Sequence, residues 1–278
     1  MSTAFIPNGD GAAKERREKR LRELVAQEER RRRLEFVLPW IIAIVALLLW
    51  EAVCAAFKIP VFVLPPPSAI YASILKWWPQ LLSNAGQTLM TTTMGFALAV
   101  VVGSALGIVV GSFRTVYKGV YPLLIGFESI PKVAVVPLLV IWFGIGTIPA
   151  VITSFLIAFF PIMVNVSTGI AAVEVELRDV LRSLGASTFD IVRKVGIPRA
   201  LPYFFASLKV AMTVSFVGSI IAETVGANSG IGHLIIVASS RFDIPLMFAG
   251  LVVTSAMGVF MYSIALLVER HALAWARD

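Results

Sequence analysis

The sequence predicts an all-α polytopic membrane protein with six transmembrane helices, and three observations carry that prediction. Of its 278 residues 58% are hydrophobic and 15% charged, with a positive mean hydropathy. An ordinary soluble domain carries about 25% charge, so this chain lacks the polar surface that a soluble globule of its size needs. The apolar residues fall into runs long enough to cross a hydrocarbon core, which takes about 20 helical residues. The basic residues, which set a formal net charge of +7, sit in an amino-terminal tail and in short connections between those runs. This distribution suits a lipid bilayer. A nucleic-acid partner would call for basic residues interleaved with aromatics on one surface. Cys54 is the only cysteine and lies inside an apolar run, which excludes an intrachain disulfide and a thiolate metal cluster; His233 and His271 are too few and too far apart for a metal site.

Residues 1–37 read as a cytoplasmic charged tail and 38–278 as the transmembrane domain. From Lys14 to Glu35 both charge signs are crowded together, including the run Arg30 to Arg33, so the segment reads as a polar helix or a disordered tail. It is no cleavable signal, because the basic stretch is too long and no small-residue cleavage pattern follows the next apolar run. That run, Phe36 to Phe57, is the first span, and Glu51 near its outer end is expected to snorkel to the interface. Five more spans are expected at about 86–112, 118–143, 147–172, 204–226 and 245–268.

Six spans place both termini on one side. That side receives ten Lys and Arg in the tail, two in the 113–118 connection, five between Arg178 and Arg199, and two at the carboxyl end; the other receives Lys58, Lys76 and Arg241. Nineteen against three puts both termini in the cytoplasm. On the outer side, residues 58–85 hold Pro65, Pro66 and Pro67 and the interfacial pair Trp77 and Trp78; Gly144 to Gly146 form a tight hairpin; and Gly226 to Gly232 form a flexible turn leading to a short helix. With no strand before it and no Lys-Ser or Lys-Thr after it, the last of these is not a phosphate-binding loop.

Within the spans, Gly95, Ala99, Gly103, Gly107 and Gly111 recur every four residues, a smooth face for close helix packing at a subunit interface or an internal contact. Ionisable residues in a span are functional candidates. Glu128 and Lys132 lie four apart around Pro131 on the third span, consistent with an intrahelical ion pair or with a helix opened by Pro131 and Pro137 beside a water-filled pathway, Lys132 offering its charge to an anionic substrate. Glu223, near the outer end of the fifth span, suits an outer gate or a packing role. Phe159 and Phe160 beside Pro161 read as lipid-facing or core residues.

The connection between the fourth and fifth spans is the most informative. Leu177 to Leu184 has helical spacing, with Val180, Leu181 and Leu184 on one side and Arg178 and Arg182 on another, and Gly185 breaks it. Ser187 and Asp190 have the spacing of an amino-terminal cap, and Phe189, Val192 and Val195 give a second short helix an apolar stripe. Asp190 and Lys194 form an i, i+4 pair, and Gly196, Ile197 and Pro198 are expected to end that helix. A mere connector needs no amphipathic helices, so this loop is built to be gripped.

The stretch from Asp179 to Pro198 resembles the EAA loop of ABC-importer permeases: Glu-Ala-Ala, three residues, Gly, nine residues, Ile-x-Leu-Pro. Gly185 takes the glycine position, and Val195, Gly196, Ile197 and Pro198 close the pattern, while Asp179, Val180 and Leu181 depart from the opening triplet. Over roughly residues 60–270, Leu64 to Ser68, Ile130 and Pro131 through Pro137 and Leu138, Ile141 to Gly146, and Ser183, Leu184, Gly185, Ala186 and Ser187 look like the nitrate, sulfonate and taurine branch of these permeases.

The resemblance implies a permease of the bacterial plasma (inner) membrane and a division of labour. A second permease subunit would complete a dimer, in the simplest case a homodimer. Two ATP-binding subunits would dock on the loop, at Asp179, Leu184 to Ala186, Phe189 and Val195 to Pro198, and an extracytoplasmic binding protein would deliver a small, anionic solute. This chain has no Walker A loop, so it is expected to be no enzyme and to hold no cofactor, ATP and Mg belonging to the partner. The same branch also serves pyrimidine vitamin precursors and aromatic carboxylates. A secondary transporter or channel would carry its coupling chemistry within the chain, yet the sequence has no paired intramembrane carboxylates and no inverted repeat.

Overall fold

The computed structural model describes Arg31, Glu35 and residues 37–272. The charged tail expected over 1–37 lies, apart from Arg31, Glu35 and Val37, outside the described residues, as does Arg277. All regular structure among the described residues is helical. Five helices are long and apolar enough to cross a membrane, or six if one bent pair counts as a single span. The protein is therefore a multi-pass membrane protein.

The chain divides into two compact units, one of Met1–Pro60 with Pro66–Ser68 and one of Val61–Pro65 with Ala69–Asp278. In the first, α1 (Val37–Ala56) is the first span. Glu51 does not simply snorkel to water: its carboxylate accepts the Ser68 amide at 3.0 Å and the Ser68 hydroxyl at 2.7 Å. It thereby caps the start of α2 (Pro67–Lys76), where the amides of a first turn lack intrahelical partners and favour negative charge.

In the second unit α3 (Trp78–Ser112), α6 (Thr147–Ala171) and α9 (Ile197–Gly226) form the packed centre. The second span begins earlier than the expected residue 86, because Pro79, just inside the helix, and a continuous helical pattern leave nothing to interrupt it after Trp78. The four-residue glycine stripe serves an internal contact with α6. A methyl added at Gly95 would lie 2.5 Å from Ser154 Cβ, at Gly103 3.1 Å from the Phe159 carbonyl, at Gly107 2.8 Å from the Met163 carbonyl, and at Gly111 2.6 Å from the Ser167 carbonyl. Between them Ala99 is wholly buried with Ala158, Ile162, Val166, Ile170, Ala200 and Ala211. Lipid supplies no hydrophobic driving force between helices, so this backbone-close dispersion packing holds the pair together.

The third span, expected over 118–143 with Pro131 and Pro137 as candidate breaks, opens at Pro131. It splits into α4 (Arg114–Glu128) and, after a 3-10 turn at Lys132–Val135, α5 (Val136–Phe143), with the two halves bent by 75°. Pro131 lacks an amide hydrogen and disfavours helical geometry at Ile130, which places the break there. The hairpin after α5 is pinned to α9: the Gly146 amide donates to the Gly226 carbonyl at 2.9 Å.

After α6 come α7 (Val175–Ser183), α8 (Thr188–Ile191), a π-helical turn (Val192–Gly196) and α9. Gly196, Ile197 and Pro198 do not end the second short helix, as their composition suggested. The chain stays helical from Thr188 to Gly226, 39 residues. Pro198 sits in the first turn of α9, and the wider π turn before it absorbs the amide that proline cannot supply. Helix α10 (Ile231–Ser240) follows the glycine-rich turn, and α11 (Ile244–Ala272) is the last apolar span.

Candidate functional site

Three places bring polar or exposed groups together on this scaffold. The first is the α7–α8 element. Helix α7 ends in a Schellman motif: the Gly185 amide donates to the Arg182 carbonyl at 2.9 Å and the Ala186 amide to the Leu181 carbonyl at 3.0 Å. That closure requires the left-handed conformation that Gly185 adopts at φ +85°, with nothing within 4 Å of the position a Cβ would take. Ser187 and Asp190 then form a reciprocal capping box at the start of α8. Hydrogen bonds from Ser187 hold the Asp190 carboxyl below its usual range, with the Lys194 charge a lesser contribution in the same direction. These two caps present Leu184 at 78% and Phe189 at 70% exposure, with Val180 at 56% beside them. Asp179 lies on the other side of α7, lining a cleft with Lys118, Arg178 and Arg182. Val195 and Gly196 belong to the π turn, and Gly196 is buried against the Ile170 side chain, so they anchor the loop to the bundle.

The second place is the break in the third span. Lys132 Nζ lies 3.3 Å from Glu128 Oε1 and donates to the Glu128 carbonyl at 3.1 Å, 5.4 Å from the centre of the Phe160 ring. The ammonium thus caps the carboxyl end of α4, where carbonyls lose their helical donors and the helix dipole is negative. A cleft of about 300 Å³ opens beside it, lined by Tyr121, Glu128, Ser129, Phe160 and Asn165 among others. Glu128, with its carboxylate half exposed, lines this cleft; Lys132 does not.

The third is at the carboxyl end of α9, where the fully buried Glu223 carboxylate accepts from the Thr88 hydroxyl at 2.8 Å, the Thr91 hydroxyl at 3.2 Å and the Gly232 amide at 3.1 Å. Asn84 takes the Gly230 amide and Thr88 the Ile231 amide, each at 2.8 Å. The glycine-rich turn expected to be flexible is instead wrapped on a carboxylate. A side chain at Gly230, with φ +108°, would collide with Glu223. Buried polar groups in hydrocarbon need partners of this kind. The network continues inward through Thr91 to Ser219, and Ser154 pairs with Ser215 below it, so hydroxyls join α3, α6 and α9.

The family signature described as the binding-protein-dependent transport system inner membrane component matches residues 99–273, more than half of the chain and including all of the α7–α8 element. The chain belongs to this family. The permease is 32% identical over 82% of its length to the riboflavin transport system permease protein RibX of Chloroflexus aurantiacus, spanning 86% of that protein. It is 27% identical to the formylaminopyrimidine transport permease protein ThiX of Halalkalibacterium halodurans, over 86% of this chain and 96% of that one. It is 27% identical to the putative aliphatic sulfonates transport permease protein SsuC of Bacillus subtilis, over 91% and 92%. Among solved structures, the inward-facing MetNI methionine ABC transporter matches with a TM-score of 0.62 at 20% identity, over 70% of the permease and 97% of that chain, a likeness of fold. As a permease component of an ABC transporter the chain is not an enzyme; ATP hydrolysis resides in a separate subunit.

Sequence reasoning missed two features of the permease. Lys209 on α9 pairs with Glu269 on α11 at 2.9 Å, a contact between residues sixty positions apart that no local pattern marks. The second is the set of hydroxyls around Glu223: Ser215, Ser219 and Glu223 recur every four residues along α9, Ser219 and Glu223 facing Thr88 and Thr91 on α3 and Ser215 facing the Thr92 carbonyl and Ser154 on α6. A polar stripe at helical spacing inside an apolar span was the signal available.

Proposed function

We propose that this permease forms the membrane pathway of an importer with both termini in the cytoplasm, and that the α7–α8 element is the surface on which the ATP-binding subunits dock. The observation that carries this reading is the exposure of Leu184 and Phe189 on a doubly capped, backbone-defined turn. Large apolar side chains held rigidly in an aqueous compartment fit a partner groove. A second copy of the permease would complete the membrane unit, ATP and Mg would bind the ATPase subunits, and a binding protein would deliver solute at the outer face, where α10 and the Glu223 network lie. Lysine and arginine counts support the orientation. Cysteines placed at Lys76 and Ser239 in a Cys54-free background are expected to react with an impermeant thiol reagent in intact cells, and one at Lys194 only after permeabilisation. Labelling of the Lys194 position in intact cells would invert the topology.

For the solute, the reading supported by the likeness to SsuC is a small anion of the nitrate, sulfonate or taurine type, with Lys132 as the intramembrane cation. On this reading Lys132→Met lowers transport at least tenfold, about 1.4 kcal/mol of lost stabilisation, while the assembled complex stays intact, and adding Glu128→Gln does not restore it. Full rescue by the double substitution would reduce Lys132 to a cap and ion-pair partner. A second reading is favoured by the aromatic lining of the adjacent cleft, Tyr121 and Phe160, together with the likeness to RibX and ThiX: a planar heteroaromatic solute. Thermal stabilisation of the cognate binding protein by an alkanesulfonate or by a pyrimidine separates the two.

A further inference from the structure

A second cleft, of about 640 Å³, lies between the α3–α4 turn and α7, on the opposite side of α7 from the docking surface. Arg178, Asp179 and Arg182 project from one side of that helix into the cleft, while Val180 and Leu184 point away from it. Lys118 on α4 completes a lining with three cations against one carboxylate. Arg178 is held in place, its guanidinium donating to the Ile170 carbonyl at the end of α6 at 2.7 Å. The wall beside these charges is apolar, with Phe113 and Val116 exposed where α3 passes into α4. A soluble phosphate has no use for that wall. A phospholipid does, because its headgroup joins directly to acyl chains.

We propose that this cleft binds the phosphate-bearing headgroup of an anionic phospholipid of the inner leaflet, with Lys118, Arg178 and Arg182 on the phosphate and Phe113 and Val116 against the upper acyl chain. Guanidinium groups match phosphate oxygens in a fork; Lys118 lies near the start of α4, and Arg178 and Arg182 on α7 line the same cleft with Ser112 at the end of α3 and Ala171 at the end of α6, membrane-end positions where anionic lipid surfaces attract basic side chains. Helix α7 then meets lipid with one face and the ATPase with the other, so lipid occupancy sets the angle at which Leu184 is presented. The leaflet follows from the cytoplasmic orientation proposed above; the binding itself does not depend on it.

The test uses the full-length permease in detergent, titrated with short-chain phosphatidylglycerol, with phosphatidylcholine of the same chain length, and with inorganic phosphate, and read by native mass spectrometry and thermal unfolding. Phosphatidylglycerol is expected to bind and stabilise in preference to phosphatidylcholine. Lys118→Ala with Arg182→Ala is expected to weaken it about 25-fold, from about fivefold per surface cation, whereas Lys118→Arg with Arg182→Lys retains binding and guards against a folding defect. Equal binding of the two lipids, undiminished binding by the alanine pair, or loss of binding in the charge-conserving pair would overturn the site. Equal stabilisation by inorganic phosphate alone would overturn the lipid assignment in favour of a soluble anion. Because these measurements are made without a sealed membrane, a reversed topology would show in thiol labelling and leave them unaltered.

Discussion

Replacing Gly185 by valine is expected to leave the permease inserted in the membrane but to cut ATPase copurification and binding-protein-stimulated ATP hydrolysis in liposomes by about tenfold. The cause is the backbone. Gly185 adopts φ +85°, and both hydrogen bonds that close α7 depend on it. For an L-residue that conformation costs roughly 1–2 kcal/mol, and a β-branched side chain adds to the strain. Nothing within 4 Å would obstruct a Cβ, so the effect cannot come from a clash inside the chain. The lost closure instead changes the angle between α7 and α8, and with it the spacing of Leu184 and Phe189. Asparagine, which tolerates the left-handed region, is expected to preserve docking. Should asparagine fail as completely as valine, close approach of the partner backbone would be the requirement; should valine leave copurification, stimulated hydrolysis and transport intact, Gly185 would only terminate a helix.

Glu223→Leu is expected to produce the largest loss of stability in the bundle. The carboxylate serves three donors, and of these the Gly232 amide has no other partner named in the network, whereas Thr88 and Thr91 also reach helix carbonyls at 3.2 and 3.0 Å. Hydrogen bonds to charged groups contribute about 1.5–3 kcal/mol, and a buried donor left unmet costs about 1–3 kcal/mol. A destabilisation of about 3 kcal/mol follows, with faster hydrogen exchange at the amides of residues 230–234, because α10 loses its anchor to α9. Glu223→Gln keeps one acceptor oxygen in place and is expected to lose about half as much. Scanning fluorimetry of the purified permease checks the first expectation and exchange mass spectrometry the second. An unchanged melting temperature for the leucine variant would remove Glu223 from the structural core that joins α3, α9 and α10.

The composition and apolar runs of this chain determined by themselves that it is helical and crosses a membrane several times, because a bilayer forces every span to satisfy its backbone internally and so to be long and apolar. The caps of the α7–α8 element were legible for a related reason: Gly185, Ser187 and Asp190 act on neighbours within a few residues, and local chemistry survives in any fold. Pro131 announced the break in the third span, but only the tertiary structure decided that the span bends by 75° and that Lys132 turns back to cap α4. The glycine stripe of α3 marked a close approach without naming the partner; the carbonyls of α6 lie against it. Gly196, Ile197 and Pro198 read as a stop, yet a π turn carries the helix through them, since one wider turn accommodates the proline. Glu223 stood out as a charge within a span, but its partners, like those of the Lys209–Glu269 pair, were beyond any linear pattern. Their partners lie on other helices, and a charge in hydrocarbon takes its meaning from whatever the fold brings to it.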